Sequence, residues 1–332
     1  MKAISRRRFL SIAAASAGIG LVPAWYRQAL AGVAQEPVIW QGIALGADAQ
    51  LRIYHEDKQE AHRLVQRVLD EVTRLERIFS IYQEDSALSR LNAQGYLDQP
   101  PKELLQLLSR SHYFSQLSQG LFDPSVQVLW NLYAQSLAET KLQGGPNQEA
   151  IEQALKKVDY QKVSLSAERI ELLVPGMQLT LNGIAQGYIT DRVTELLRQA
   201  GLDRMLVNMG EIRGLDKLEK EAPWQVSIRS PFDDHALLAR VALRNEAIAT
   251  SAGSGTPLDA KGQITHLFNP STGLGAPLYH SVSVIAEDAT TADALSTAFS
   301  LMPLAQIKES LKSLPGVQVY VLDQDQQFLK VV

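Results

Sequence analysis

Residues 178–188 read QLTLNGIAQGY, and this stretch indicates how the chain folds. The first four residues predict a strand, and a helix is expected from Gly187 to Ala200, closed by Gly201. Glycines at a strand-to-helix turn let the backbone approach a ligand closely, and the first turn of a helix offers free N–H groups to phosphate oxygens. A turn built only for packing is equally compatible with this stretch, so its role depends on other segments.

Segments on either side alternate between the helical and the extended hydrophobic period. From Gln59 to Phe79 apolar residues recur every three or four positions, which predicts an amphipathic helix. Further helices are expected at 86–92, 101–117, 148–158, 291–301 and 305–314, and strands at 38–54 (a pair), around 163 and 170, and at 178–181, 204–208, 224–228, 238–243, 247–250, 281–286 and 317–322. This mixture predicts an α+β fold with mixed sheets and flanking helices.

The first 34 residues differ from the rest of the chain. They hold five basic residues and no acid, and an apolar run from Phe9 to Val22 is short for a spanning helix. Residues 5–10 read SRRRFL and resemble a twin-arginine export signal, and residues 29–31 read ALA, a small-x-small cleavage site. We predict a cleaved signal peptide at 1–34 and a periplasmic or extracytoplasmic domain at 35–332. An uncleaved N-terminal membrane anchor is the alternative.

Composition excludes several classes of protein. The chain has 332 residues, of which 45% are hydrophobic, enough for a sizeable core, and no repeat or low-complexity linker divides it. Loss of the five leader cations takes the formal charge from −4 to −9, so we expect neither nucleic-acid binding nor direct membrane binding. Because the chain has no cysteine, it has no disulfide, thiolate nucleophile or cysteine-based zinc site, and its catalytic groups must be oxygen or nitrogen.

Three further segments concentrate residues that can bind a ligand. Residues 249–256 read ATSAGSGT, a hydroxyl-rich loop that can hydrogen-bond a phosphate, although taken alone it is more typical of a flexible surface loop. Residues 266–273 read HLFNPSTG, an expected strand leading into a turn, and a lone histidine there is more often structural than catalytic. Asp293 and Thr297 are four residues apart on a predicted helix, so a carboxylate and a hydroxyl share one face and can bind a hard cation. A carboxylate stabilised by the helix dipole is the alternative.

Taken in order, these segments resemble the ApbE-type FAD:protein FMN transferases. The family's blocks correspond to FSIY at 79–82, SALSRLN at 86–92, GLFDP at 120–124, LNGIAQG at 181–187, ATS at 249–251, HLFNPSTG at 266–273 and DALST at 293–297. Their order and approximate spacing hold from Phe79 to Leu301. So many ordered blocks make a chance match implausible.

This resemblance implies Mg²⁺-dependent attachment of FMN, taken from FAD, to a Ser or Thr hydroxyl of a partner protein, with release of AMP. It implies that FAD lies in a cleft between two subregions and that a respiratory membrane subunit is the acceptor. The cofactor-binding residues that it implies are Tyr82, Leu121, Phe122, Asp123, Gly183, Gln186, Thr250 and His266. The Mg²⁺ ligands that it implies are Asp293, Thr297 and the carbonyl of Gly183. His266 and Asp293 are the expected catalytic residues, and the general base is His266, another carboxylate or a metal-bound oxygen.

Three positions depart from the family pattern. Thr180 replaces an aspartate and Gln186 replaces a lysine, as if an ion pair had been exchanged for two neutral groups. Asn269 replaces the aspartate before proline and keeps its ability to form a turn. The expected site is therefore less charged than is usual. Two alternatives follow, a carrier that binds FAD or FMN without transferring it, and a pyrophosphatase that hydrolyses FAD with water.

Overall fold

The computed structural model of the protein describes residues 37–44, 47–139, 145–216, 222–233, 236–253, 258–259 and 264–331. The predicted signal peptide at 1–34 and residues 254–256 of the hydroxyl-rich loop lie outside these ranges. Within them, no helix is both long enough and apolar enough to cross a membrane.

Thirteen strands are present in the described residues, and eight of them form one large sheet in the order β1-β2-β6-β7-β10-β11-β12-β13. Strands β3, β5 and β4 form a small second sheet, and β8 and β9 form a hairpin. The strand bounds are Val38–Ala44, Ala47–Ile53, Tyr96–Asp98, Val163–Leu165, Arg169–Leu172, Arg204–Met209, Ile212–Asp216, Trp224–Arg229, Leu237–Leu243, Ala247–Ala252, Ser281–Ala286, Gln318–Leu322 and Phe328–Val331 for β1 to β13.

Eight α-helices are described alongside the sheets. Their bounds are Lys58–Phe79, Ala87–Gln94, Lys102–Leu117, Gln127–Glu139, Gln148–Leu155, Ala185–Gln199, Ala289–Ser300 and Leu304–Leu311 for α1 to α8. Local capping explains several starts: the carboxylate of Asp57 accepts the N–H groups of Gln59 and Glu60 at the start of α1. Gly95 has φ 78° and ends α2 in the left-handed conformation that suits glycine.

The main core lies on one face of the large sheet, where α1, α6 and α7 pack. Helix α7 is buried over most of its surface, since it contacts both α6 and strands β10 and β11. On the opposite face the β8–β9 hairpin places Trp224 and Val226 in one cluster with Ile248 and Ile285. Strand β11 is therefore buried along its whole length.

The expected α+β class is confirmed, and most predicted elements are present. The pairing differs in one respect: in the described residues all ten strand pairs of the two sheets and the hairpin are antiparallel, where mixed sheets were expected. Connections explain this difference: β1–β2, β6–β7 and β12–β13 are direct hairpins. Between β11 and β12 the chain forms two helices, α7 and α8. It thereby returns to the end of the sheet at which β11 finished, so that β12 runs antiparallel to β11.

Two expected strands are wrong, and four elements were missed. At 178–181 only an isolated bridge forms, since Leu179 bonds to the side chain of Asn92 and the N–H of Thr180 donates to Pro124 O. The segment at His266 is a loop, and its two ends are joined by a hydrogen bond of 2.8 Å from the N–H of Thr265 to the carbonyl oxygen of Gly275. Helix α4 and strands β3, β7 and β13 were not predicted.

Candidate functional site

The site begins where helices α6 and α7 touch. A Cβ atom on Gly187 would lie 2.2 Å from the carbonyl oxygen of Ala289 and 2.8 Å from the Cβ of Asp293, so only glycine allows this approach. The N–H of Gly187 then donates to Asp293 Oδ2 over 2.9 Å. This contact fixes the Asp293 carboxylate at the N-terminus of α6.

Further oxygen atoms gather one turn along α7. Thr297 Oγ1 would be 2.8 Å from a Cβ on Gly183, and Ser251 Oγ on β10 lies 3.4 Å from Thr297 Oγ1. Ser251 Oγ also lies 2.7 Å from Ser296 Oγ. We call Asp293, Thr297, Ser251 and the backbone of Gly183 the oxygen cluster. It joins the glycine turn, the hydroxyl-rich segment and the DALST helix, which are distant in sequence.

Two buried carboxylates dominate the electrostatics around the oxygen cluster. Asp293 is 4% exposed, and burial raises its pKa to about 7, against the lowering effect of the Gly187 N–H. Glu211 lies between β6 and β7, and burial, followed by repulsion from Asp293, raises its pKa well above its usual value. The N–H of Thr250 bonds to the Glu211 carboxylate and partly offsets this rise. Both acids therefore occupy a region that favours a compensating positive charge.

Sequence reasoning missed Glu211. The local sequence places a glutamate after Gly210 between two apolar runs, which suggests a turn but does not mark the side chain as buried. Gly210 has φ 106°, which strongly favours glycine and makes that turn possible. Since strand β7 was not predicted, the turn and the burial of Glu211 were not predicted either.

The residues of the oxygen cluster fit a hard divalent cation. Among the described residues, neither Asp293 nor Glu211 forms an ion pair with a lysine or arginine, so no protein cation there offsets their charge. No group of three histidine, aspartate or glutamate side chains gathers as a metal cage in the described part of the chain. The donor set is instead one carboxylate, one hydroxyl and one carbonyl, which are oxygen donors of the kind that Mg²⁺ prefers.

The predicted flavin-contacting residues occupy several elements around this cluster. Phe122 is buried and its ring would lie 3.4 Å from a Cβ on Gly183, so it is brought directly to the cluster. Gln186 packs over Gly210, where its Cδ would lie 2.8 Å from a Cβ. Leu121 is half-buried beside Phe122, and His266 is half-buried in its loop. Tyr82, which follows α1, is 54% exposed. Thr250 is exposed, and its Oγ1 lies 2.8 Å from Ser283 Oγ.

Asp123 is engaged by protein donors. Its carboxylate accepts the N–H of Ser125 at 2.7 Å, the hydroxyl of Ser125 at 2.6 Å and the N–H of Tyr160 at 3.0 Å. Burial raises the pKa of this carboxyl despite those hydrogen bonds. Asp123 thus connects the loop after α3 to the turn that precedes β4.

Asp123→Asn is expected to destabilise the protein by about 1–3 kcal/mol, because the amide turns a donor toward a backbone N–H that needs an acceptor. Urea unfolding measures the change. The matched control is Asp98→Asn, which removes an exposed carboxylate paired with Arg169, and its unfolding midpoint should stay close to that of the wild type. Equal midpoints for Asp123→Asn and the wild type would contradict the prediction.

The three departures from the family pattern have separate local explanations. Thr180 Oγ1 accepts the N–H of Asn182 within its own turn, while Gln186 contacts Gly210, so the contacts described for these two residues do not join them. An exchanged ion pair between positions 180 and 186 therefore has no support. Asn269 Oδ1 accepts the N–H groups of Ser271 and Thr272, which confirms that it forms the expected turn.

Comparisons with known proteins find one family. A sequence model of the ApbE family matches residues 45–321. The FAD:protein FMN transferase of Treponema pallidum (strain Nichols) is 28% identical over 315 residues, covering 86% of this chain and 84% of that protein. The FAD:protein FMN transferase of Escherichia coli (strain K12) is 26% identical over 304 residues, covering 88% and 86%.

Solved structures show the same fold. The ApbE protein of Thermotoga maritima MSB8 superposes with a TM-score of 0.80 at 26% identity, covering 89% of this chain and 96% of that chain. The flavin transferase ApbE of Vibrio cholerae superposes with a TM-score of 0.75 at 22% identity, covering 89% and 96%. At that lower identity, the second likeness concerns the fold alone.

Proposed function

This chain belongs to the ApbE family, and from that premise we propose that it is a FAD:protein FMN transferase. The observation that carries the proposal is the oxygen cluster, in which Gly183, Asp293 and Thr297 converge from two separate sequence blocks. Curated relatives that carry this transferase name match across more than four-fifths of the chain, which supports the same activity here.

The proposed reaction transfers FMN between two oxygen atoms. A Ser or Thr hydroxyl of the acceptor attacks the FMN-side phosphorus of FAD, forming a phosphoester while the bond from that phosphorus to the bridging oxygen breaks. AMP leaves with the bridging oxygen, and the hydroxyl proton passes to a base. His266 is the proposed base, because an imidazole titrates near neutral pH.

Asp293, Thr297 and the carbonyl of Gly183 would hold the Mg²⁺ ion. When bound, Mg²⁺ supplies positive charge that offsets the charge developing on the phosphate oxygens. The side-chain amide of Gln186 would orient those oxygens as a hydrogen-bond donor. Because a buried carboxylate such as Asp293 lacks an ion-pair partner among the described residues, the cation would also stabilise the fold locally.

The acceptor is proposed to be a respiratory membrane subunit with a Ser/Thr flavinylation segment. The leader supports a periplasmic or extracytoplasmic location reached by the twin-arginine pathway. Cleavage after the leader would leave an acidic protein without an evident means of its own to bind the membrane. Contact with a membrane-embedded acceptor would then depend on protein–protein recognition.

The activity is tested by incubating the purified chain with FAD, Mg²⁺ and an acceptor that carries a Ser/Thr flavinylation segment. Covalent flavin fluorescence on the acceptor in a denaturing gel, with AMP released in equal amount, supports transfer. An acceptor whose target hydroxyl is replaced by alanine is the control. FAD binding without label or AMP would instead identify a carrier, and AMP release that is independent of acceptor would identify a pyrophosphatase.

Export has a separate test in the leader. Replacing Arg6 and Arg7 together by lysine is expected to leave most of the chain in the cytoplasm, because the pathway reads the paired arginines. Cell fractionation with an antibody measures the distribution. Arg27→Lys, which lies beyond the apolar run, serves as the control and should be exported normally. Unimpaired export of the double variant would argue against the twin-arginine route.

A further inference from the structure

We propose that Asp191 is a positioning residue that fixes helix α7 against helix α6 and so sets the location of Asp293. The inference concerns the same site as the proposed transferase activity, and its metal-binding consequence rests on that function. Asp191 lies on α6, one turn after Gly187, and none of the sequence motifs assigns it a role. Its side chain is 16% exposed and points into the junction of three elements.

Four donors converge on the Asp191 carboxylate. Oδ1 accepts the N–H of Ala289 at 2.9 Å and the guanidinium of Arg213 on β7. Oδ2 accepts both the N–H of Thr290, at 2.9 Å, and its hydroxyl. Three of these donors belong to the first turn of α7, and the fourth comes from the sheet. Asp191 therefore bonds α6, α7 and β7 together through one side chain.

The position of this carboxylate matters for the oxygen cluster. Gly187 and Asp191 are four residues apart on one face of α6, and they contact α7 at Asp293 and at Ala289–Thr290. Two hydrogen-bonded contacts one turn apart restrain the rotation and translation of α7 along α6 more closely than the Gly187 contact alone would. Loss of the Asp191 contact would let Asp293 drift from the N–H of Gly187.

Asp288 offers a control with the same chemistry. It also caps α7, accepting the N–H and the hydroxyl of Thr291, each at 2.8 Å, and it also pairs with an arginine, Arg110 at 3.1 Å. Arg110 belongs to α3 rather than to α6. Asp288 thus stabilises the N-terminal end of α7 without connecting that helix to α6. Comparing substitutions of Asp191 and Asp288 therefore distinguishes the effect of capping α7 from the effect of positioning it against α6.

The experiment compares Asp191→Asn with Asp288→Asn in the full mature chain. Hydrogen exchange at the Gly187 amide and calorimetric titration with Mg²⁺ are the readouts, with thermal unfolding as the measure of general stability. Asp191→Asn is expected to accelerate Gly187 exchange and to weaken Mg²⁺ binding, each about ten-fold or more, the effect of losing one charge-assisted hydrogen bond. Asp288→Asn should lower the unfolding temperature and change either readout less than about two-fold.

Equal effects of the two variants on Gly187 exchange would overturn the proposal, because Asp191 would then act only as a cap. Should Asp191→Asn fail to fold, Thr290→Val removes a single donor and is expected to shift both readouts in the same direction, with Thr291→Val as its control. If the wild type binds no Mg²⁺, the metal part of the proposed function fails, while the exchange comparison still decides the role of Asp191.

Discussion

Asp293→Asn is expected to abolish flavin transfer, lowering its rate by about 10³-fold or more. Among the described residues, Asp293 is the only carboxylate in the oxygen cluster, and the substitution removes its negative charge. A metal ion that stabilises the phosphate charge typically lowers the barrier by several kcal/mol. Each 1.4 kcal/mol corresponds to about a factor of ten in rate. The amide oxygen can still accept the N–H of Gly187, so the contact between α6 and α7 is retained. Rates of acceptor labelling and of AMP release measure the loss.

Two companions make this result specific. Asp293→Ala should be equally inactive and less stable than Asp293→Asn, because it leaves the buried Gly187 N–H without an acceptor. Ser300→Ala changes a buried hydroxyl on the same helix, which donates to Ser296 O, and should keep near wild-type transfer. Retention of more than a tenth of the activity in folded Asp293→Asn would remove Asp293 from the proposed metal site.

Gly187→Ala is expected to cost about 3 kcal/mol of unfolding free energy or more, the upper part of the range for overpacking. The added methyl group would lie 2.2 Å from the carbonyl oxygen of Ala289, a rigid backbone atom that cannot move without shifting α7. Urea unfolding measures the loss, and transfer should fall with it because Asp293 moves with the helix.

Gly201→Ala provides the matched control. It lies just after α6, has φ 89° and has no heavy atom within 4 Å of the added carbon, so only backbone strain of roughly 1–2 kcal/mol is expected. A similar loss in both variants would mean that the approach of α6 to α7 is loose. A clearly larger loss in Gly187→Ala would show that this approach is tightly packed.

Local patterns were sufficient for much of the fold. The apolar period predicted α1 to within one residue at its start, and alternation predicted β11 over its exact bounds. Capping and turn chemistry were equally informative, as Gly201 and Asn269 show. These elements are stabilised by interactions between residues close in sequence, so their signal is contained in short stretches.

The other elements depend on contacts between residues distant in sequence, and these contacts explain the predictions that were wrong. Residues 178–181 have strand-like composition, yet Asn92 takes the hydrogen bonds of Leu179 that a neighbouring strand would have taken. The family motifs predicted Asp293, Thr297 and Gly183, which the structure brings together, whereas the nearby carboxylates of Glu211 and Asp191 were not predicted. Their surroundings come from elements distant in the chain, and no local pattern marks a carboxylate as buried.

The order of strands in the large sheet has a consequence for how the chain folds. Strand β2 ends at Ile53 and pairs with β6, which begins at Arg204, so about 150 residues separate neighbours in the sheet. Pairings of such high contact order form slowly, because a long loop must close before any contact compensates its entropy. The N-terminal hairpin can therefore join the sheet only after most of the chain has left the ribosome. If the protein is exported as proposed, and only after it has folded, the slow closure of this sheet would set the earliest moment at which it could leave the cytoplasm.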